Sequence, residues 1–322
     1  MKSHTGSDNS IRPSIGSWVS YGLGAENSNL PAFVTICPTL AFGGINNWSS
    51  AFLPAAHNGT ALGDASGSGS DEVHSELEAA SKNSTSATRP VECDESQASR
   101  PSGSEDSLET RINSFELAFR MQSEIPKVED VSGESATTRR LYGMDEPVTA
   151  NFGRMCLLAR RFAEAGVRFI QVTHNDDKVQ WDQHANLKRD HEKNAREVDL
   201  PITGLLTDLK QRGLLDDTLV WWGSEFGRTP TAETTDGRDH NPEGFTMWLA
   251  GGGTKGGFRY GSTDDYGYYA AENKVHIHDL HATLLHALGL DHERLTYRYA
   301  GRDFRLTDVE GNVVRELFES VL

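Results

Sequence analysis

Apolar residues recur along much of the chain in two alternating patterns. Spacings of three and four residues predict helices, whereas short apolar runs between turn residues predict strands. The predicted helices cover a segment from residue 107 onward, 151–165, 187–212 and 279–288, and the predicted strands cover 32–37, 167–173, 218–222 and 245–250. Because helices alternate with short strands, we expect an α/β fold with a doubly wound, mostly parallel sheet flanked by helices on both faces.

Residues 58–106 interrupt this pattern. They contain Gly-Ser repeats, many acidic residues and almost no large apolar residues. Such a segment cannot bury enough surface to offset the entropy cost of ordering its chain. We therefore predict a mobile insert within a single domain that spans residues 1–322. The simplest interpretation is a tolerated surface loop, and a regulatory role is the alternative.

The charge balance restricts the class of partner. The chain has 47 acidic and 31 basic residues, for a formal net charge of −16. This excess argues against a nucleic-acid or anionic membrane partner, since both require Lys and Arg opposite phosphate groups. It is compatible with a metal site, because cations bind carboxylates. The chain contains no run of 18 apolar residues that would predict a membrane span, and its three cysteines form no disulfide or zinc motif.

Histidines and carboxylates concentrate where predicted strands end. Nine of the twelve histidines lie between His174 and His292. Since ligands of α/β sheets bind beyond the carboxyl ends of the strands, we expect these polar side chains to meet at one sheet edge. Carboxylates and imidazoles together suit Zn²⁺, Mn²⁺ or Fe²⁺, held singly or as an adjacent pair. The candidate metal ligands are Asp182, His184, Glu225, Asp239, His240 and His278.

Each candidate also has a structural interpretation. The residues in the Gly/Asn-rich turns could cap those turns instead of binding a metal. Arg228 could hold a tetrahedral oxyanion bidentately or form a salt bridge with an acidic residue. If residues 275–278 are extended, His276 and His278 share one face, and we favour His278 as the ligand. His174 fits a ligand or a supporting role equally well. Structural or solvated roles are the simpler interpretation for His191, His281 and His286.

Four sequence blocks are specific in order and spacing. They are IRPSIGSWVSYGLG at 11–24, RGLLDDTLVWWGSEFGRTP at 212–230, GRDHNPEGFTMWLAGGG at 237–253 and HIHDLHATLLHALGLDHERLTYRYAGRDFRLTD at 276–308. Together they resemble the sulfatase-like family called domain of unknown function 1501, of the alkaline phosphatase/sulfatase superfamily. The resemblance covers nearly the whole chain outside the insert. It implies a metal-dependent hydrolase of phosphate or sulfate esters, including esters carried on polysaccharides.

The resemblance also implies roles for individual residues. Asp182 and His184 would be ligands of one of two metal subsites, and Glu225 falls where relatives place an aspartate. His278 resembles the late histidine that closes a site in some relatives. The remaining implied residues are His240 and Asp239 as nearby ligands and Arg228 as the group that stabilises the transferred oxyanion. Phe226 departs from the pattern, because relatives often have a histidine there. The implied cofactor is one or two divalent ions, Zn²⁺, Mn²⁺ or Ca²⁺.

A second departure lies at the first residues of the chain. In relatives a first strand delivers an aspartate ligand, and a nucleophile opens a helix that ends in Thr-Gly. Here Thr5-Gly6 resembles that helix end. The resemblance therefore implies an N-terminally truncated hydrolase without the first strand, the nucleophile or the export signal that relatives typically carry. The alternatives are a non-catalytic metal- or anion-binding module and a degenerate product with no independent function.

Overall fold

The computed structural model describes residues 2–8, 10–38, 43–63, 104–174, 180–224 and 226–319. Within these ranges the chain forms a mixed α/β fold with seven α-helices. The helices are α1 (Lys2–Thr5), α2 (Ile15–Leu23), α3 (Ser104–Glu129), α4 (Ala136–Leu141), α5 (Ala150–Glu164), α6 (Leu187–Gln211) and α7 (Ile277–Ala287). Short 3₁₀ helices cover Gly44–Asn47, Ala55–His57 and Arg315–Leu317.

The strands are short and are numbered in chain order. They are β1 (Phe33–Ile36), β2 (Thr60–Leu62), β3 (Phe169–Val172), β4 (Val220–Trp222), β5 (Gly227–Ala232), β6 (Arg238–Asn241), β7 (Trp248–Ala250), β8 (Ser262–Thr263), β9 (Ala270–Glu272), β10 (Tyr297–Tyr299) and β11 (Arg302–Phe304). The predicted strands at 32–37, 167–173, 218–222 and 245–250 correspond to β1, β3, β4 and β7. The four predicted helices correspond to α3, α5, α6 and α7.

A parallel sheet of three strands lies at the centre of the fold. Its order is β2-β1-β3, and β1 pairs in parallel with both neighbours. All four residues of β1 are buried, as expected for a strand covered on both faces. Val34 and Ile36 pack in an apolar cluster with Leu157 and Phe162 of α5. On the other side, the ring of Phe33 lies close to Gly16 of α2.

The prediction of a mostly parallel sheet is wrong for the later strands. In the described residues β4 pairs antiparallel with β7, and the β5–β6, β8–β9 and β10–β11 pairs are antiparallel as well. A parallel pair needs a crossover connection, which is usually a helix. The connection from β4 to β7 instead contains the β5–β6 hairpin. The chain therefore returns beside β4 in the opposite direction.

The predicted insert begins later than the composition indicated. Residues 60–62 form β2, which pairs with β1 in the register Val34 to Thr60 and Ile36 to Leu62. Leu62 is buried in the same apolar cluster as Val34, so these residues belong to the sheet. Helix α3 begins at Ser104. Residues 64–103, which make up most of the predicted insert, lie outside the described residues.

Helix length and composition also bear on membrane insertion. Among the residues that the structure describes, no helix combines the length and the apolar character needed to cross a bilayer.

Candidate metal centre

Side chains of the loop before α6 meet a side chain of the β5–β6 hairpin. Asp182 and His184 lie in the loop before α6, and His240 lies in β6. The Oδ1 atom of Asp182 is 2.7 Å from Nε2 of His240 and 3.1 Å from Nε2 of His184. The two Nε2 atoms are 3.3 Å apart. These three residues, which we call the candidate metal centre, therefore bring one ligand-type atom each to within 3.3 Å of the others.

Backbone contacts hold the loop against the hairpin. The amide of Arg238 donates to the carbonyl of Gln183 at 3.1 Å, and the amide of Asn186 donates to the Asp236 carboxylate at 3.0 Å. Gly237 lies so close to the loop that a Cβ atom at this position would be 1.7 Å from the carbonyl oxygen of His184. Only glycine therefore allows the loop and the hairpin to approach to this distance.

Arg228 forms the salt bridge that was one of its two interpretations. Its Nη2 atom donates to Oδ1 of Asp182 at 2.5 Å and to the carbonyl of Trp181 at 3.0 Å. Its Nη1 atom donates to the carbonyl of Arg238 at 3.2 Å. Burial alone would raise the pKa of Asp182, but hydrogen bonds from Arg228 and His240 hold that pKa below its usual value. Asp182 is therefore an anion at neutral pH.

Glu233 orients the imidazole of His184. Its Oε2 atom lies 2.5 Å from Nδ1 of His184, and both side chains are about one-third exposed, at 36% and 39%. The hydrogen bond to Glu233 raises the pKa of His184, burial opposes this increase, and the charge of Asp182 adds to it. When the ring is neutral, an Nδ1–H that donates to Glu233 leaves the Nε2 lone pair facing Asp182 and His240.

Glu233 was missed by the sequence analysis. It lies in the polar stretch TAETTDG, where an acidic residue is typical of any exposed turn. Glu233 lies beside His184 only because the hairpin packs against the loop before α6. Phe226 also contributes, since its ring stacks on His240 with 4.2 Å between centroids and 25° between planes. This aromatic contact limits how the imidazole of His240 can rotate.

Other predicted ligands occupy different places. Asp239 accepts a hydrogen bond from the amide of His240 at 2.7 Å, and its carboxylate joins His184 and Glu233 in a second group of converging ligand atoms. Glu225 lies outside the described residues. His278 is at the start of α7, where its Nε2 atom is 3.0 Å from the carbonyl oxygen of Gly6. In the described residues the two groups of converging ligand atoms do not include His278.

The extended conformation considered for residues 275–278 is wrong from Ile277 onward, although the backbone of His276 itself is extended. His276 is the N-cap of α7: its side chain accepts from the amide of His278, and Asp279 bonds back to the amide of His276. This reciprocal capping starts a helix at Ile277. The alternation that would have put His276 and His278 on one strand face does not exist.

Three further histidines either stabilise the fold or face solvent. His281 is buried, and its Nε2 atom is 2.7 Å from the carbonyl oxygen of Ser3. Nδ1 of His174 accepts a hydrogen bond from the indole of Trp181 at 2.9 Å. This contact anchors the loop that carries Asp182. His191 is exposed on α6.

The fold and this centre define a mixed α/β protein with a candidate carboxylate–histidine site. The chain matches the family model described as Protein of unknown function (DUF1501) over residues 1–318. It therefore belongs to that family, as the four sequence blocks predicted. Neither the curated proteins nor the solved structures provide a match to this chain.

Proposed function

We propose that Asp182, His184 and His240 bind a divalent transition-metal ion, Zn²⁺ or Mn²⁺, and that the site serves the hydrolysis of phosphate or sulfate esters. The observation that carries the proposal is the convergence of one carboxylate oxygen and two imidazole nitrogens within 3.3 Å of one another. Two imidazoles and a carboxylate form a ligand set typical of catalytic zinc sites.

The spacing of the ligand atoms fits such an ion. Nitrogen ligands of a tetrahedral zinc ion, with bonds of about 2.0–2.1 Å, lie about 3.3–3.4 Å apart. The two Nε2 atoms are 3.3 Å apart, and Oδ1 of Asp182 is 3.1 Å from Nε2 of His184. The 2.7 Å contact between Asp182 and His240 is a hydrogen bond, so a proton occupies it. A metal ion bound to Nε2 of His240 would displace this proton from that nitrogen.

The support around the ligands is also of the kind found at metal sites. A histidine ligand normally donates its second ring N–H to a carboxylate, which fixes the ring and increases the basicity of the other nitrogen. Glu233 occupies this position for His184 at 2.5 Å. The stacked ring of Phe226 positions His240 in a comparable way.

Arg228 limits the affinity of the site. Its guanidinium neutralises the charge of Asp182 and shares the oxygen atom that faces both histidines. A cation at the centre would therefore compete with Arg228 for the carboxylate. We expect micromolar rather than tighter binding. Arg228 then acts as a positioning residue for Asp182, and the predicted contact with a substrate oxyanion would require part of its donors to change partner.

The proposed chemistry follows from the ligand set. A bound ion would polarise an ester oxygen as a Lewis acid. Asp182 supplies negative charge to hold the cation, and His184 and His240 supply neutral ligands once deprotonated. The resemblance of the four sequence blocks adds the link to phosphate and sulfate esters.

The proposed fold is correspondingly a doubly wound sheet of the alkaline phosphatase type, supported by the parallel β2-β1-β3 sheet.

A metal-binding module without turnover is the second candidate. In the part of the chain that the structure describes, no serine, threonine or cysteine side chain hydrogen-bonds to the side chains of the candidate metal centre. A hydrolase of this superfamily needs an attacking group at its site. This observation favours binding over catalysis for the described part of the chain.

Metal titration and turnover assays separate the two candidates. We expect Zn²⁺ or Mn²⁺ to bind in calorimetry, and His240→Ala to weaken that binding by at least about tenfold. His286→Ala, which changes a histidine of α7, serves as the matched control. Metal-dependent cleavage of p-nitrophenyl phosphate or sulfate that is lost in His240→Ala supports the hydrolase. Binding without cleavage supports the module, and no binding contradicts both.

A further inference from the structure

A cavity of about 230 Å³ lies between the loop that follows α1 and the start of α7. Its lining includes Ser7, Ser10, Arg12, His278 and Arg305. None of the three ligands of the candidate metal centre lines this cavity. The cavity is therefore a second candidate site, independent of the proposed metal ion.

Each acidic residue of the lining already has a basic partner. Asp8 pairs with Lys2 at 3.2 Å. Asp308 pairs with Arg302, which does not line the cavity. Neither carboxylate is therefore available to cancel the charge of the two arginines in the lining. In a chain with a formal net charge of −16, a cavity with a cationic surplus is unusual.

The two arginines carry that surplus. Arg12 donates through Nε to Ser10 at 3.1 Å and lies 4.7 Å from the ring centroid of Phe304. Among the described residues it has no carboxylate partner. Arg305 approaches Glu293 only at 3.6 Å, and Glu293 is 68% exposed, so that ion pair is weak. Both guanidiniums therefore retain N–H donors without a strong anionic partner.

The geometry points to a phosphate or sulfate group as the ligand of this cavity, and we propose that it is carried by a small organic molecule. Guanidinium groups bind such oxyanions through paired, charge-assisted hydrogen bonds. Two guanidiniums offer more N–H donors than the two oxygen atoms of a carboxylate readily accept, whereas a phosphate or sulfate group has more oxygen atoms to receive them. Pro13, Trp18, Phe52 and Leu306 also line the cavity. These apolar side chains give the organic part of the ligand a surface to contact.

Binding of anions to metal-free protein tests this proposal. After EDTA treatment, inorganic phosphate, sulfate and phenyl phosphate would be titrated by calorimetry at constant ionic strength. We expect phosphate or sulfate to bind, and phenyl phosphate to bind more tightly than inorganic phosphate. Arg12→Gln should weaken binding about tenfold or more, since hydrogen bonds between charged groups are the strongest polar contacts. Because no metal is present, failure here is distinct from failure of the metal site.

Controls separate a local site from general charge attraction. Arg139→Gln removes the same charge from α4, outside the cavity, and should leave anion binding unchanged. Arg12→Lys keeps the charge but not the planar donor pair and should weaken binding less than Arg12→Gln, provided that circular dichroism shows both variants folded. The proposal is overturned if none of the anions binds, or if Arg139→Gln weakens binding as much as Arg12→Gln. Equal affinity for phenyl phosphate and inorganic phosphate would overturn the organic part of the proposal.

Discussion

Nε2 of His184 and Nε2 of His240 lie 3.3 Å apart, although the two residues are 56 positions apart in the chain. One belongs to the loop before α6 and the other to β6. The pair exists because the β5–β6 hairpin packs against that loop. Two unlinked imidazole nitrogens at this distance either share a proton network through Asp182 or bind one cation between them.

Glu233 should control the metal affinity of His184 without being a ligand of the candidate metal centre. Glu233→Gln removes the strong acceptor of the Nδ1 proton. The imidazole of His184 is then held less firmly in its orientation, and its Nε2 atom becomes a less basic ligand. We expect Zn²⁺ affinity to fall by about 10- to 100-fold, the usual effect of changing a carboxylate that supports a histidine ligand. Calorimetry measures the change. Glu192→Gln, an exposed site on α6, should bind as the unchanged protein does; equal affinity in both variants would contradict the role of Glu233.

Protonation of His184 should oppose metal binding. Its pKa is raised above the ordinary 6.5, because Glu233 and Asp182 favour the charged ring. The protonated ring therefore contributes stability that is present below pH 6.5 and is lost as the pH rises through the raised pKa. Metal affinity should increase over the same interval. Proton NMR titration of the His184 ring is the measurement, and a midpoint at or below that of a free histidine would contradict this prediction. In Glu233→Gln the midpoint should move down.

Gly237→Ala should disrupt the candidate metal centre through the backbone. The added Cβ would lie 1.7 Å from the carbonyl oxygen of His184, so the loop or the hairpin must move. We expect a loss of about 1–3 kcal/mol in the free energy of unfolding, as for other overpacked sites, together with weaker metal binding. Gly133→Ala is the matched control, because a Cβ there meets no atom within 4 Å. Chemical denaturation of both variants measures the difference.

Glu129 should make the protein less stable as the pH rises. Its side chain is 3% exposed, Oε1 has no hydrogen-bond partner among the described residues, and burial raises its pKa from 4.5 to about 7. The folded state therefore binds the proton more tightly, and the stability present below pH 4.5 is lost as the pH rises to about 7.

The Glu129→Gln variant isolates this effect. A neutral amide removes the cost of burying the carboxylate, so the variant should be more stable than the unchanged protein at pH 8 by roughly 2–3 kcal/mol. At pH 4 the two proteins should differ little. Thermal unfolding at both pH values is the measurement, with Glu192→Gln as the control at an exposed position. Equal stabilities at pH 8 would contradict the prediction.

Local sequence patterns placed the eight predicted helices and strands to within a few residues. The predicted helix at 151–165 is observed as Ala150–Glu164, and the one at 187–212 is observed as Leu187–Gln211. Apolar spacing reports a helix face directly, because the spacing repeats within one element. The same patterns nominated Asp182, His184 and His240, which the structure brings together. They also treated residues 275–278 as extended, whereas the side chains of His276 and Asp279 accept hydrogen bonds from backbone amides and start a helix at Ile277.

The amino-acid sequence by itself determined the α/β class, the family and the polar residues that follow the strands. Only the tertiary structure decided that β4 and β7 run antiparallel, that Arg228 pairs with Asp182, and that Glu233 supports His184. The physical reason is the range of the interactions. Periodicity and capping act over one or two helical turns, whereas strand direction and ligand convergence depend on contacts between residues about 30 to 50 positions apart, which no local pattern encodes.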